Sequence, residues 1–370
     1  FVQSQPALNR AIERRAPALA KRIQGAIARG QWEAMGGFET EPDNQLPSGE
    51  ALARSLAIGQ RKLAGLTGEI SRVCWLPDVF GYATCLPQIL RLGGVDRFYT
   101  TKMTWSVITK FPYNSFVWRG HDGSEVLAHL CPTGYNGDVG MVGGIIDPLR
   151  GHRQAGVHPE TLLGTGFGDG GGGVTEAMCE RARRLGSLAK PGRPGGLAGV
   201  PRARWSTSGD FFDRLEVLRG DLPVYQGELY LEYHRGTYTT QSEFKRLYRR
   251  AETALQAHEA VRVVAGGAPI DEAAWRRVAF AQFHDAIPGS SIGLVYAQLN
   301  PELAAIGDAG LAAAARELGG RGTHRTVFNP LPVARRVAVE LPAGRGWEAD
   351  GAPVPTQAFA KATLALVTLP

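Results

Sequence analysis

The chain has 370 residues, 44% apolar and 21% charged, which fits a soluble globular protein of two or three domains and excludes an extended disordered chain. Its formal charge is +6, but the basic groups (Arg181, Arg183 and Arg184, then Arg246, Arg249 and Arg250) alternate with Glu176, Glu180, Glu243 and Glu252, as on solvated helix faces. Nucleic acid is therefore not an expected partner, and no apolar run approaches the ~20 residues of a membrane span.

In chain order, residues 7–29 alternate Ala, Leu and Ile with Arg and Lys at helical spacing, and Gly30 supplies a stop, so one amphipathic helix is expected. Strands are expected at 32–37, 73–76, 97–101, 116–118, 126–129 and 161–163, with helices at 48–66, 83–93 and 174–188 between several of them. Such alternation predicts an α/β unit on a parallel sheet. The Gly/Pro cluster at 190–196 predicts a surface excursion. From Ser242 the pattern is helical for most of sixty residues, with Phe244, Leu247, Ala251 and Leu255 on one face and Trp275, Val278, Ala279 and Phe283 on another, which predicts a helical bundle. After Gly319-Gly320, residues 326–332 and 337–341 read as strands of a third, β-rich domain. Cys74, Cys85, Cys131 and Cys179 show no Cys-x-x-Cys spacing and suit a reducing, cytoplasmic compartment. No signal peptide opens the chain, and it begins at Phe1 and ends at Pro370 in strand-like sequence, so both ends are expected to continue into a longer protein.

The most informative stretch is Trp75-Leu76-Pro77-Asp78-Val79-Phe80-Gly81-Tyr82. Val73 to Leu76 are apolar enough for a buried strand, Pro77 ends pairing and Gly81 permits a sharp turn. Asp78 thus falls at a strand's carboxyl end among aromatic residues, where α/β enzymes hold reacting groups. By spacing alone, Asp78 could equally cap a helix carrying Leu86, Ile89 and Leu90. His121-Asp122, before Gly123, reads as a surface hairpin turn. Gly166-Phe167-Gly168-Asp169-Gly170-Gly171 fits the dinucleotide fingerprint, but the strand before it is short and no acid follows at ~20 residues. A nucleotide-binding protein is thus a remote alternative.

Trp-x-x-Asp-x-Phe-Gly-Tyr followed by Leu86-Pro87-Gln88-Ile89-Leu90 resembles glycoside hydrolase family 38, the zinc-dependent retaining α-mannosidases, in their bacterial type. Blocks in the family's order surround it: Glu41-Pro42-Asp43 with Leu46-Pro47-Ser48-Gly49-Glu50, Trp118-Arg119-Gly120 with Asp122-Gly123-Ser124-Glu125, Gly168-Asp169-Gly170-Gly171, Gly227-Glu228 through Thr240, and Phe283-His284-Asp285 through Ser291. The resemblance implies a barrel-like α/β catalytic domain over 1–225, incomplete at its N-terminus, a helical bundle over 226–318 and the start of a β-sandwich over 319–370. It implies a mannose-containing oligosaccharide substrate and leaves the oligomeric state, a homo-oligomer included, undecided. Asp78 matches the family's nucleophile, which also binds Zn2+, and His284 matches a second zinc ligand. Asp285 is expected to bond substrate or orient the imidazole. Asp169 matches the segment that supplies the acid/base, with Glu228 as its rival. Trp75, Phe80 and Tyr238 are expected to contact the sugar, although core packing is the default for an aromatic residue.

One departure stands out. The family's first zinc motif, His-x-Asp, is absent, since none of the eight histidines is followed two positions later by aspartate. A catalytic zinc takes at least three protein ligands, so the chain by itself is expected to be nearly inactive. A catalytically inactive carbohydrate-binding relic of the family is the alternative reading.

Overall fold

The computed structural model describes residues 1–135, 137, 141–169, 171–188, 201–268, 270, 272–319, 325–343, 346–359 and 361–369. The chain divides into two compact units, Phe1–Arg249 with Glu272–Leu303, and Arg250–Asp271 with Ala304–Pro370.

In the first unit, β1 (Val2–Gln3) pairs in parallel with β2 (Glu33–Ala34) across two helices, α1 (Pro6–Arg15) and α2 (Pro17–Ala28). The single helix expected over 7–29 is broken because Pro17 starts a new one. Ala16 before it lies at φ −144°, ψ 64°, since a residue preceding proline is kept out of the helical region. Helix α3 (Gly49–Thr67) is delimited as the sequence suggests: Ser48 Oγ accepts from the Ala51 N–H at 3.2 Å, and Gly68 at φ +86° ends it.

The sheet contains β3 (Val73–Trp75), β4 (Arg97–Thr100), β5 (Ser115–Arg119), β6 (Glu125–Leu130) and β7 (Val224–Gln226) in the order β3-β4-β6-β5-β7. All neighbours are parallel except the β5–β6 hairpin, whose exposed turn holds His121 and Asp122. Its strands are apolar on both faces because both faces are covered. Cys74, Phe98, Trp118 and Ala128 meet Leu52 and Leu56 of α3 and Leu90 of α4 (Leu86–Leu92). Val73, Tyr99, Val117 and Leu127 meet Phe211, Phe212 and Leu215 of a helix at Ser208–Glu216. Further helices cover Val142–Gly151 and Glu176–Leu188.

Residues 161–163 form no strand. Their backbone is taken by side chains instead: the Leu162 N–H donates to His129 Nε2 at 3.2 Å and Tyr99 OH donates to the Leu162 carbonyl at 3.3 Å. The excursion expected at 190–196 lies outside the described residues.

The helical region consists of helices at Ser242–Val264, Glu272–Ala281 and Gly293–Leu318. Within the first unit Phe244 meets Tyr296 edge to face at 5.4 Å, and Gln282 Nε2 donates to Tyr248 OH at 2.9 Å and to the Ala51 carbonyl at 3.0 Å. Within the second unit, Gly310 allows close packing on Ala254, and Arg250 pairs with Asp308 at 2.6 Å. Strands at Arg335–Pro342, Thr356–Phe359 and Ala362–Leu369 form an antiparallel sheet there, with Val339 opposite Ala365. The strand expected at 326–332 does not form over the described residues 326–332, where Pro330 and Pro332 remove ladder donors. Among the described residues, no helix is long and apolar enough to cross a membrane.

Candidate active site

Two parallel neighbours, β3 and β4, deliver the charged groups of the site from their carboxyl ends. The Pro77 carbonyl accepts from the Thr101 N–H at 3.2 Å and from Thr101 Oγ1 at 2.9 Å, so the turn after β3 is tied to the end of β4. Tyr82 OH donates to the Leu76 carbonyl at 2.8 Å, and the Tyr82 and Leu229 backbones exchange two bonds of 2.9 Å. Gly81, at φ +120°, makes the bend that these bonds require, with the Leu229 carbonyl 3.2 Å from where a Cβ would sit. Asp78 is therefore held in a fixed turn. It does not cap a helix, because α4 begins only at Leu86.

The Asp78 carboxylate is 18% exposed and its two oxygens face different groups. Oδ1 lies 2.5 Å from Nζ of Lys102, which is 4% exposed. This contact is an ion pair and not an aligned hydrogen bond, as none of the described residues offers Oδ1 a well-angled donor. Oδ2 lies 3.7 Å from His284 Nε2. His284 arrives from the other side of the site, on the segment after Ala281. Its backbone N–H and its Nδ1 both meet the Glu41 carbonyl at 3.1 Å. A carbonyl only accepts, so Nδ1 donates to it, and Nε2 is the nitrogen left facing Asp78. Asp285 Oδ2 stands 3.8 Å from the same nitrogen, and Ser290 Oγ steadies Oδ1 of Asp285 at 2.7 Å.

Glu41 itself is buried and bonded by Ser4 Oγ, and burial pushes its carboxyl above the ordinary range despite the nearby His284. Its segment is brought in by Gly59 of α3, where a Cβ would collide with the backbone of Gly37 and Phe38. Asp43 completes the segment's turn by accepting from the N–H groups of Gln45 and Leu46, each at 2.8 Å.

Asp169 is exposed, in the turn closed by the Phe167–Gly173 bridge. Tyr135 OH donates to its Oδ1 at 2.8 Å. Burial first, then the bond to Asp169 and the Asp78 carboxylate, raise the Tyr135 phenol above its usual pKa. Glu228 is also exposed, and its backbone carbonyl accepts from Tyr225 OH at 2.7 Å. Tyr238 is half-buried, its phenol pushed up to about 12 by burial and then by Asp43 and Glu228.

Phe80 packs on His234 at 4.6 Å and edge-on to His284 at 6.0 Å, and so borders the site. Trp75 stacks face to face on Tyr99 at 3.8 Å among the residues that cover the second sheet face, which is a packing role. The structure thus brings together Asp78, His284, Asp285 and Phe80, and ties Asp169 to Tyr135. Lys102, Glu41 and Tyr135 were not legible as site residues. The only local signal was a lysine directly after an apolar strand, followed by Trp105.

A second group of buried imidazoles lies on the opposite face of the sheet. His129 donates from Nδ1 to Ser115 Oγ at 3.0 Å, and Nε2 accepts from the Leu162 N–H. His152 and His158 follow at ring separations of 6.0 and 6.1 Å, the first donating from Nε2 to the His158 carbonyl at 2.7 Å. His158-Pro159-Glu160 has a His-x-acid spacing, but Glu160 turns to Arg214 at 2.8 Å.

Residues 1–228 match the family model described as the glycosyl hydrolases family 38 N-terminal domain, and residues 232–317 match that of the alpha mannosidase middle domain. The chain belongs to glycosyl hydrolase family 38. It is 36% identical over 345 residues to alpha-mannosidase 2C1 of Mus musculus, covering 88% of this chain and 32% of that protein. It is 37% identical over 286 residues to an alpha-mannosidase of Saccharomyces cerevisiae, covering 73% of this chain and 26% of that one. The chain thus spans about a third or less of these curated relatives. Its fold is similar to the crystal structure of an alpha-mannosidase from Enterococcus faecalis V583, at TM-score 0.67 and 17% identity, covering 99% of this chain and 48% of that one.

Proposed function

We propose that the protein containing this chain is a retaining α-mannosidase that removes terminal α-mannosyl residues from oligosaccharides, with Asp78 as nucleophile and Asp169 as acid/base. The observation that carries this reading is the Asp78 carboxylate, fixed at a strand's carboxyl end with one oxygen on Lys102 and the other toward His284 Nε2. The alpha-mannosidase names of the relatives supply the sugar.

Retaining enzymes hold the two carboxyl groups roughly 5–5.5 Å apart, and Tyr135 OH, which donates to Asp169, feels the Asp78 charge as well. In this mechanism an Asp78 oxygen bonds to the anomeric carbon as the bond to the leaving oxygen breaks, and Asp169 gives that oxygen a proton. Asp169 then takes a proton from water, whose oxygen displaces Asp78 from the same carbon and restores the starting configuration. Phe80 and Tyr238 border the sugar, and Asp285, steadied by Ser290, accepts from its hydroxyls.

The donor set fits part of a zinc site. An imidazole nitrogen whose opposite nitrogen is fixed by a carbonyl, facing a carboxylate oxygen, is the usual histidine–carboxylate arrangement around that ion. Bound zinc would grip sugar hydroxyls and offset carboxylate charge. Asp78 and His284 would hold it, but no group of three or more His, Cys, Asp or Glu among the described residues is placed to hold a metal. At least one further protein ligand is needed beyond these two. Residues 1–225 form the catalytic domain in this reading, 226–318 the middle bundle and 319–370 the beginning of a β-sandwich. Four unpaired thiols, two of them buried, support a cytoplasmic setting.

The test uses the full-length protein and an aryl α-mannoside. Asp78→Ala is expected to lower kcat by a factor on the order of 10⁴ or more, and NMR of the first product should show the α-anomer. Near-normal turnover by the variant, or a β-anomer formed first, overturns the assignment.

A further inference from the structure

Lysine is seldom buried without a partner, because desolvating an ammonium is costly. Lys102 is 4% exposed, and among the described residues its ammonium faces one carboxylate and two rings. Nζ lies 2.5 Å from Asp78 Oδ1, 3.9 Å from the centre of the Trp105 ring and 5.1 Å from that of Phe80. Indole and phenyl faces attract a cation without neutralising it. The backbone beneath is set as well: the Lys102 N–H donates to Thr100 Oγ1 at 3.2 Å at the end of β4. Beyond Trp105, Glu232 Oε1 accepts from the N–H groups of Val107 and Ile108 at 2.6 Å each and of Thr109 at 3.3 Å. Those bonds hold the turn that directly follows Trp105.

We propose that Lys102 is a positioning residue for the nucleophile: it grips Asp78 Oδ1, thereby fixing the rotation of the carboxylate so that Oδ2 faces His284, and Glu232 maintains this grip by holding the turn behind Trp105. This inference rests on the reading of Asp78 as nucleophile. The physical reason is that the terminal torsion of an aspartate is broad and nearly two-fold, so a carboxylate bonded by neither oxygen samples orientations that a displacement reaction cannot use. Among the described residues Oδ1 has no hydrogen-bond partner, and the Lys102 ammonium is the charge against it. The ammonium has a second consequence. When Asp78 is displaced in the second half of the reaction its negative charge returns, and a cation already in place stabilises that charge without reorganisation.

The experiment compares Lys102→Met, Lys102→Arg, Glu232→Ala, Lys102→Met with Glu232→Ala, and Asp78→Ala, all in the full-length protein, with metal content and thermal melts measured on each. Lys102→Met keeps the length of the side chain and removes the charge. It is expected to lower kcat by about 10²–10³ with KM changed less than about threefold and bound metal unchanged, while Lys102→Arg recovers at least about a tenth of the lost rate. Glu232→Ala should lower kcat by about tenfold, and the double variant should be no slower than Lys102→Met alone, because Glu232 acts through the same grip. Unchanged kcat in a folded Lys102→Met, or a fall in which KM carries the whole effect, overturns the proposal. An additive double variant removes Glu232 from it. If Asp78→Ala is also active, the failure belongs to the nucleophile assignment; if Asp78→Ala is dead and Lys102→Met is normal, it belongs to this inference alone.

Discussion

His284 and His129 are both buried, at 5% and 0% exposure, yet one faces carboxylates and the other faces hydroxyls and two more imidazoles. His284 uses Nδ1 on a carbonyl and leaves Nε2 toward Asp78 and Asp285. His129 uses both nitrogens on neutral partners, and burial, then His152 and His158, holds its pKa well below the usual value. The comparison teaches that burial does not make a histidine functional. In the proposed reading, what sets a ligand apart is a ring nitrogen left without a neutral partner and negative charge beside it.

The sharpest way to break the comparison is to remove each ring in turn. His284→Ala is expected to reduce bound zinc in the full-length protein from about one per chain to near zero and to abolish activity. His129→Ala should leave zinc content unchanged per folded molecule. Full zinc occupancy in folded His284→Ala would place both histidines in the same structural category.

A smaller effect is expected from the support beneath His284. Gly59→Ala puts a methyl into the backbone of Gly37 and Phe38, displacing the segment that presents the Glu41 carbonyl to His284. A loss of about 1–3 kcal/mol in urea unfolding is expected, together with weaker zinc binding. Wild-type stability and zinc affinity would mean that the segment shifts freely and that its close approach does not set the imidazole.

The smallest effect is a pH slope that the second cluster alone should produce. His129, His152 and His158 all have pKa values lowered in the folded state, each chiefly by burial. The charged groups facing them are Glu160, which favours protonation of His158, and Arg214, which opposes it. Unfolded histidine titrates near 6.5, so the unfolded chain binds more protons once the pH falls below that value. Stability is thus complete above about pH 6.5 and declines below it, by at most about 1.4 kcal/mol per histidine per pH unit. Urea midpoints at pH 7.5 and 5.0 should differ less in His129→Gln than in the wild type. An equal difference would show that other groups carry the acid sensitivity.

Local sequence was sufficient for the features whose cause is local. The apolar run of β3, the Ser48 cap, the Pro77 stop and the Gly81 bend each act within a few residues, so a strand end at Asp78 was legible, although a helix cap fits the spacing equally and only the start of α4 at Leu86 decides against it. Pro17 was equally local, and the break it makes in the first helix follows from its ring alone. The strand expected over 161–163 failed for a tertiary reason, since Tyr99 and His129 take the bonds that a neighbouring strand would have taken.

Lys102, Glu41, Tyr135 and Glu232 belong to the other kind. Burial of Lys102 is supplied by Asp78, Phe80 and Trp105, and the last of these is held through residue 232. Glu41 becomes the support of His284 across 243 positions of sequence. No pattern of spacing encodes such contacts, because they exist only once parallel strands bring their carboxyl ends together. The sequence by itself therefore determined where the chain turns and which carboxylate the turn presents. Only the tertiary structure decided which cation, which carbonyl and which hydroxyl meet that carboxylate, because electrostatic and hydrogen-bond partners act over a few ångström of space whatever their separation along the chain.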